Sequence, residues 1–332
     1  MDCFLGIDIG GTKCAVVVGN ERGDVLARKS FMTTTEQGLD ISSILTAIHD
    51  LADTQRGAVV RAVGISCGGP LDATTGVVMF PPNLPHWNEV PIVSIIRNEV
   101  GVETYLMNDA DASALAEWRF GAGQGFSNIV FLTFGTGIGA GLILDNRLYS
   151  GTNGLAGEVG HIRLAEDGPI GHGKAGSFEG FCSGGGIARM GVVLARERYR
   201  AGKTVSFCND IELIDQITAK DIGKAALAGN DDALSIYYTA AEYLGRGIAI
   251  LIDVLSPQRV IVGSIYVRME EVMRPTVEAA VRREALDSSG LSCPIVPAAL
   301  GEQIGDRAAL AVAMYRTKSE VFTESIHFSG NF

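Results

Sequence analysis

Near the amino terminus, an acidic residue lies just before a glycine-rich turn, a combination suited to binding phosphate. The turn is Gly10-Gly11-Thr12-Lys13, and the strand-like runs on either side of it predict a β-hairpin. Asp8 is near the end of the first strand. The backbone N–H groups of a loop without bulky side chains can face an anion, and a carboxylate beside them can hold Mg²⁺ through water. The alternative is an ordinary hairpin with a polar tip, and this stretch alone leaves both interpretations open.

A second stretch has the same strand–glycine–strand layout. Asn128–Phe134 and Ala140–Leu144 have strand character, and the turn Gly135–Gly139, with the sequence GTGIG, lies between them. The two hairpins are much too far apart along the chain to be units of a solenoid. Their repetition fits two related half-molecules that face each other across a cleft, each with a turn able to cradle phosphate.

Two common phosphate-binding motifs are excluded. A Rossmann fingerprint needs a helix directly after its glycines, but a β-branched and apolar run follows Gly135–Gly141. The Gly168–Lys174 stretch has the spacing of a Walker A loop, yet Ala175 follows where Ser or Thr is needed. The Gly202–Thr204 stretch has Glu197 where that loop requires glycine. A pair of phosphate-binding hairpins therefore remains.

Length and charge restrict the class of protein. With 332 residues and 47% apolar content, the chain is long enough for about two domains. It has 27 basic and 38 acidic residues, a net charge of −11, and no cluster of Lys or Arg. This balance argues against nucleic acid or an anionic membrane as the main partner. We therefore expect a phosphate ligand to be held by backbone amides and a metal ion.

The cysteines and the hydropathy pattern indicate the compartment. Six cysteines are scattered without a CxxC pair, several of them in apolar runs where a free thiol behaves as a small hydrophobic group. The sequence opens directly on a strand without a signal peptide, and no apolar run is long enough to span a bilayer. We therefore expect a cytoplasmic protein with no membrane partner.

The rest of the chain must position the two turns, and its pattern predicts alternating strands and helices. Further strands are expected at Asp24–Phe31, Ala62–Ser66, Val77–Phe80, Thr104–Met107, His161–Leu164 and Arg259–Val262. Helices are expected at Leu39–Ala52, Val90–Glu99, Ala112–Phe120, Gly184–Arg200, Asp231–Leu255, 268–286 and 305–317, with another that begins at the capping-box sequence Thr218–Asp221. The segment from Lys318 is polar and is expected to fray.

In combination, these motifs resemble those of the ROK-family sugar kinases, which have the actin-like, hexokinase-type ATPase fold. The resemblance covers about residues 4 to 315, and the matching motifs occur in the family's order: Asp8–Lys13, Asn83-Leu84 before Trp87, Asn108-Asp109-Ala110, the second glycine hairpin and Glu158–His161. It implies an α/β fold of two ribonuclease-H-like domains that flank a cleft. It also implies ATP-dependent phosphorylation of a hexose, usually at the 6-hydroxyl.

The resemblance implies roles for the sugar-site residues. Asp109 corresponds to the family's catalytic base, which accepts the proton of the attacking hydroxyl during in-line phosphoryl transfer. The structural alternative is that Asp109 caps the helix after it, but Asp111 is better placed for that cap. Amides and carboxylates suit hydroxyls that both donate and accept hydrogen bonds. The hexose-binding positions are Gly69, Asn83, Asn108, Asp109, Glu158, His161 and Glu179.

The cofactors implied are ATP and Mg²⁺. Ser264 and Ala308 replace two glycines that are usual in the family, and neither change abolishes an ATP site. Lys13 either approaches phosphate or lies solvated at the tip of its turn. The matching positions are Asp8, which holds Mg²⁺ through water, and Gly10, Gly11, Thr12, Lys13, Thr136, Gly137 and Gly263.

One departure from the family concerns a zinc knot, CxCGxxGCxE, that many members carry. The three cysteine positions are Ile170, His172 and Ser177 here, whereas Glu179 is kept. A structural zinc site needs four N or S ligands, and His161 and His172 supply two at most. We therefore predict no bound zinc and a loop held by packing and turns.

The expected domain organisation and partners follow from the same resemblance. A small domain takes residues 1–112, with the helix at 303–318 packing back onto it, and a large domain takes 113–302. Residues 319–332 form a polar tail. We expect a homodimer that takes a small-molecule hexose and no nucleic acid.

A second hypothesis is a catalytically silent sugar-binding sensor of the same fold. ROK-type repressors carry a helix-turn-helix before the kinase-like part, and here the first hairpin begins at residue 4, so we expect no DNA-binding domain. Retention of Asp8, Asp109 and both glycine hairpins favours the kinase. The sequence does not identify the sugar: glucose is the default, with N-acetylmannosamine, N-acetylglucosamine, fructose and allose left open.

Overall fold

The computed structural model describes residues 2–54, 58–290 and 292–323. Its strands are β1 Asp2–Ile9, β2 Lys13–Gly19, β3 Val25–Met32, β4 Val59–Cys67, β5 Leu71–Asp72, β6 Val77–Val78, β7 Thr104–Asn108, β8 Ile129–Leu132, β9 Ala140–Leu144, β10 Arg147–Leu148, β11 Ile170–Gly171, β12 Lys174–Ala175, β13 Arg259–Val262 and β14 Ile295–Pro297. Its α-helices are α1 Gln37–Thr54, α2 Ile92–Val100, α3 Asp109–Phe120, α4 Phe178–Phe181, α5 Gly184–Arg200, α6 Ala219–Leu227, α7 Asp231–Leu255, α8 Ile265–Glu284, α9 Asp287–Gly290 and α10 Ile304–Thr323. Short 3₁₀ helices lie at Val159–His161, Ile211–Gln216 and Gly301–Gln303.

The chain forms two compact units. The first comprises the described residues of 1–124, 150–154 and 302–332, and the second comprises those of 125–149 and 155–301. The first unit extends beyond the expected boundary at residue 112. The reason is that α3 is one continuous helix, which packs against α10 of the same unit.

The first unit is built on a five-stranded sheet in the order β3-β2-β1-β4-β7. The neighbours β1, β2 and β3 are antiparallel, whereas β1, β4 and β7 are parallel. Alternate residues of β1 serve opposite faces, as the two-residue period of a strand requires. Leu5 and Ile7 join a core with Ile44 of α1 and Ile96 of α2. Phe4 belongs instead to a cluster with residues of α10, so the sheet is covered on both sides.

The second unit repeats this topology. Its five-stranded sheet has the order β10-β9-β8-β13-β14, again with an antiparallel meander on one side and parallel strands on the other. The long helix α7 packs against α8, and both contribute to a core that includes Val130 and Val260 of the sheet. Two units with the same mixed-sheet order confirm the predicted α/β fold class.

Several predicted elements are observed with the same bounds, and others are not. Helix Asp231–Leu255 agrees at both ends, and the capping box of Thr218 and Asp221 is present at the start of α6. The strand predicted at His161–Leu164 is wrong, because the chain forms a 3₁₀ helix over Val159–His161. The predicted frayed segment from Lys318 is helical as far as Thr323, and the rest of the predicted tail lies outside the described residues.

The hydropathy of the helices also bears on membrane insertion. Among the residues that the structure describes, none of the helices combines the length and the apolar character needed to cross a bilayer.

Glycines let α10 approach the first sheet more closely than side chains would permit. A Cβ atom at Gly64 of β4 would overlap the backbone of Ala309 and Ala313 in α10. At Gly6 of β1, a Cβ atom would be 3.0 Å from the Cβ of Ala309. The helix and the sheet therefore meet backbone to backbone along two neighbouring strands.

This contact predicts the effect of a single methyl group. We expect Gly64→Ala to lower the free energy of unfolding by about 2–4 kcal/mol, because the helix must move away from the sheet. Gly38→Ala on α1 is the matched control, since no atom lies within 4 Å of its Cβ position. That substitution should be neutral or stabilise by about 0.5–1 kcal/mol. Differential scanning calorimetry compares the two variants, and equal melting temperatures would contradict the argument.

Candidate active site

In the first unit, the carboxylate of Asp8 lies at the end of β1, beside the first glycine turn. A hydrogen bond from the Gly10 N–H to the Lys13 carbonyl oxygen at 3.2 Å closes the turn. The start of α10 reaches the same carboxylate, because a Cβ atom at Gly305 would overlap Oδ2 of Asp8. The half-buried Asp8 is thus held between an exposed turn and the positive end of a helix.

Three carboxylates share this region. Burial raises the pKa of Asp8 to about 7, and repulsion from Asp306 and Asp109 acts in the same direction. The positive charges of Arg28 and Lys13 oppose this rise only in part. Arg28 is itself paired with Asp306, with its Nε 2.7 Å from Oδ2. The region therefore has an excess of negative charge and of oxygen ligands, which fits a hydrated Mg²⁺ ion.

The two asparagines predicted to bind sugar lie around the turn that follows β4. A Cβ atom at Gly68 would be 3.3 Å from Nδ2 of Asn83, and one at Gly69 would be 3.2 Å from Nδ2 of Asn108. Gly11 of the first glycine turn lies directly against the backbone of Asn83. The first unit therefore brings the predicted sugar amides next to the predicted phosphate turn.

Asp109 is the first residue of α3 and is exposed. Asn108 caps this helix, with its Oδ1 accepting a hydrogen bond from the Ala110 N–H at 2.9 Å. The prediction that Asp111 is the cap is wrong, since Asp111 lies within the first turn of the helix. There its buried carboxylate accepts a hydrogen bond from Ser150 Oγ at 2.8 Å. Helix capping therefore falls to Asn108 and not to Asp109.

A buried hydrogen-bond network holds the loop that carries Asn83. Asp40, fully buried near the start of α1, accepts hydrogen bonds from Trp87 Nε1 at 3.1 Å and from Thr34 N and Oγ1 at 2.8 and 2.9 Å. His86 Nε2 lies 3.1 Å from the same carboxylate. No sequence pattern marked Asp40 as part of this network, because its partners on this loop are 46 and 47 residues further along the chain.

In the second unit, the side chain of Glu179 lies in space between two segments that precede it in the chain. These are the second glycine turn and the 3₁₀ helix Val159–His161. Its Oε2 accepts a hydrogen bond from the Ile138 N–H at 3.3 Å, and a Cβ atom at Gly160 would be 3.3 Å from the Cβ of Glu179. His161 ends the 3₁₀ helix, and Glu158 immediately precedes it. Three predicted sugar-binding residues therefore lie on segments that meet beside the turn.

A cavity of about 920 Å³ opens next to the same turn. Thr136 lines it, together with the start of α5, where the Gly184 N–H donates a hydrogen bond to the Gly135 carbonyl oxygen at 2.7 Å. Lys220 and Lys224 line it from α6. Glycine backbone, a helix start and two ammonium groups around one volume suit a nucleotide with its phosphates. The sequence predicted Thr136 at the nucleotide and also predicted the helices α5 and α6, but no local motif assigned residues of either helix to this site.

Two predicted nucleotide positions have other surroundings. Gly137 lies next to Oε2 of Glu179, and Gly263 is buried, with Phe131 3.1 Å from its Cβ position. Ser264, the residue after Gly263, lines the cavity with φ at 50°. Of these two neighbouring residues, Ser264 and not Gly263 therefore contributes to the cavity wall.

Comparison with known proteins gives the family. The ROK family model matches residues 4–316. The chain belongs to the ROK family. It is 33% identical to a glucokinase of Streptomyces coelicolor over 264 residues, which cover 79% of this chain and 82% of the relative. It is 30% identical to a xylose repressor of Caldicellulosiruptor bescii, covering 79% of this chain and 65% of the repressor.

A solved ROK structure supports the same assignment. The crystal structure of a ROK family glucokinase from Streptomyces griseus in complex with glucose and AMPPNP is 32% identical and has a TM-score of 0.76. The match covers 94% of this chain and 99% of that one. The ROK family thus includes sugar kinases and repressors that are both similar to this chain.

The three positions where many ROK proteins carry zinc cysteines have separate structural roles here. Ile170 is exposed in β11, and His172 lies in the turn between β11 and β12. Ser177 is fully buried and caps α4, with its Oγ accepting a hydrogen bond from the Gly180 N–H at 3.0 Å. Within residues 2–54, 58–290 and 292–323, no three His, Cys, Asp or Glu side chains are grouped as ligands of one ion. The absence of zinc stays a prediction, which metal analysis of the purified protein tests.

The network around Asp40 predicts a stability change with a defined pH dependence. Burial acts to raise the pKa of Asp40, but the hydrogen bonds it accepts lower that pKa below the ordinary 3.8. The carboxylate therefore stabilises the fold above about pH 4, and this contribution is lost as the pH falls through the lower folded value. We expect Asp40→Asn to lower the free energy of unfolding at pH 7 by about 1–3 kcal/mol.

Urea unfolding between pH 3 and 7 measures this effect. The difference between Asp40→Asn and the unmodified chain should shrink at the acidic end. Asp50→Asn, on the same helix, is the control: its half-exposed carboxylate forms a surface ion pair with Lys29, so the change in stability should stay below about 1 kcal/mol. A difference that is constant over the whole range would rule out the carboxylate as its source.

The carboxylates around Asp8 predict a change in the free energy of unfolding opposite in sign to that of Asp40→Asn. At pH 8, in EDTA and without nucleotide, we expect Asp8→Asn to raise the free energy of unfolding by about 1–3 kcal/mol, because a buried and repelled charge is removed. The same variant should lose turnover that depends on Mg²⁺. Calorimetry with Asp50→Asn as the control checks the first effect, and a destabilised Asp8→Asn variant would show that the crowding of charge is overstated.

Proposed function

We propose that this ROK protein phosphorylates the 6-hydroxyl of a hexose with ATP, and that Asp109 is the general base. The observation that carries the proposal is the exposed carboxylate of Asp109 at the start of α3, next to the amide of Asn108. Phosphoryl transfer requires a group that accepts the proton of the attacking hydroxyl. Similarity to glucokinases along most of the chain supports the same reaction.

The first unit provides the sugar-side chemistry. Asn83 and Asn108 offer amides that donate to and accept from hydroxyl groups. Asp109 then accepts the hydroxyl proton as the oxygen attacks phosphorus. In the second unit, Glu158, His161 and Glu179 offer further partners for hydroxyl groups. Glucose is the proposed sugar, because the similar glucokinase structure is a complex with glucose.

The nucleotide-side chemistry uses backbone more than side chains. The backbone N–H groups of Gly11 and Thr12 in the first turn, and of Thr136 and Gly137 in the second, are suited to phosphate oxygens. Asp8 would hold Mg²⁺ through water, and the ion, when bound, neutralises charge on the polyphosphate. The cavity beside Thr136 would take the nucleotide, with Lys220 and Lys224 as countercharges to its phosphates.

A second candidate is a sugar-binding sensor without turnover. The observation that favours it is the 30% identity to a xylose repressor over most of this chain. The two functions differ in one measurable property, since a sensor binds sugar but does not consume ATP. A coupled assay of ADP formation across glucose, fructose, allose, N-acetylglucosamine and N-acetylmannosamine separates them. Sugar binding by calorimetry with no turnover for any of these would replace the kinase by the sensor.

Replacing Asp109 tests the proposed base. We expect Asp109→Asn to lower kcat by about 10²–10⁴-fold, because proton acceptance is lost, while the affinity for hexose changes much less. Asp145→Asn, an exposed carboxylate in the turn between β9 and β10, is the control and should leave kcat unchanged. Near-normal kcat in Asp109→Asn would show that another group accepts the proton.

A further inference from the structure

We propose that His172 belongs to the hexose-binding surface and that it positions the carboxylate of Glu179. The inference rests on the proposed function. Nε2 of His172 lies 3.3 Å from Oε1 of Glu179. The imidazole ring also stacks on that of His161, with ring centroids 5.2 Å apart and planes at 30°. His172 therefore contacts two of the residues expected to bind sugar.

The contact fixes the second oxygen of Glu179. Its Oε2 already accepts a hydrogen bond from the Ile138 N–H in the second glycine turn. With Nε2 of His172 beside Oε1, both carboxylate oxygens have a neighbouring nitrogen, which restricts rotation of the carboxylate. The side chain of Glu179 is 14% exposed, whereas that of His172 is 54% exposed. Glu179 is therefore the shielded member of the pair, and His172 is the one that faces solvent.

The backbone of the turn does not require histidine. His172 and Gly173 have φ values of 43° and 73° and form the two-residue connection between β11 and β12. This is the conformation in which Asn-Gly is preferred, because asparagine tolerates a positive φ. An imidazole at this position is explained by its side-chain contacts and not by the turn.

The loop is held near His161 by other bonds that do not involve the imidazole. Lys174 Nζ donates a hydrogen bond to the His161 carbonyl oxygen at 2.6 Å, and Ser177 caps α4. Removing the ring should therefore leave the loop folded while releasing one oxygen of Glu179. A hexose hydroxyl would then meet a carboxylate that is free to rotate, which weakens binding without changing the proton transfer.

His172→Asn is the test variant, because asparagine keeps the turn and removes the ring. We expect KM for glucose to rise up to about fivefold, the size of one exposed ion-pair contact, while kcat and KM for ATP change less than twofold. His49→Asn is the matched control. It removes another exposed histidine that pairs with a glutamate, with Nε2 2.6 Å from Oε1 of Glu99. An unchanged KM for glucose in His172→Asn would overturn the proposal.

A double-mutant cycle tests whether His172 acts through Glu179. In a Glu179→Gln background, His172→Asn should have little further effect on KM for glucose, because the group it positions is already altered. If the two substitutions raise KM for glucose by factors that multiply in the double variant, the positioning role is overturned.

Histidine NMR signals separate this inference from the proposed function. Addition of glucose to the full chain should shift the imidazole signals of His172 and His161 and leave that of His49 in place. If the unmodified chain binds glucose but does not turn over ATP, the kinase proposal fails, and shifted signals still support the inference. If no hexose of the panel shifts the His172 signal, the inference fails whatever the turnover.

Discussion

The close contact between α10 and the first sheet is the constraint on which the candidate site of the first unit depends. Gly6 and Gly64 let the helix lie against the backbone of β1 and β4, and Gly305 lets its first turn reach Asp8. That approach also brings Asp306 near Asp8, so carboxylates accumulate where a cation is needed. Repulsion between carboxylates therefore destabilises the first unit at its candidate metal site, and the packing of α10 against the sheet compensates for this destabilisation.

Polar bonds and packing hold the corresponding part of the second unit. Where many ROK proteins would use a metal, the buried hydroxyl of Ser177 bonds the start of α4. Next to it, the rings of Phe181 and Tyr243 stack with centroids 3.5 Å apart. Both contacts are made by protein groups. His172, at a position where many ROK proteins carry cysteine, lies beside Glu179.

Local signals carried most of what could be predicted from the sequence. Both glycine hairpins, the long helix Asp231–Leu255 and the capping box at Thr218 depend on neighbours within a few residues, and all are observed. The prediction chose Asp111 over Asp109 as the cap of α3 and missed Asn108, because the cap depends on where β7 ends and Asp111 is engaged by the distant Ser150.

Contacts between distant parts of the chain account for the other omissions. The three-residue strand β14 contains Pro297 and is recognisable only beside β13. The bond from Trp87 to Asp40 and the contact of Gly305 with Asp8 join segments that no spacing rule connects. Even so, most of the predicted sugar-site residues meet others of their set within each unit, since motifs at strand ends and turns mark where a site forms.

The two sheets have one topology, but the residues before their glycine turns differ. The first turn follows Asp8, so an anion bound there needs a cation between it and the carboxylate. The second turn follows Phe134, an apolar residue, and its N–H at Ile138 is engaged by Glu179 from another segment. The bend of the first unit thus adjoins the candidate metal site at Asp8. The bend of the second unit lies between the cavity lined by Thr136 and the carboxylate of Glu179.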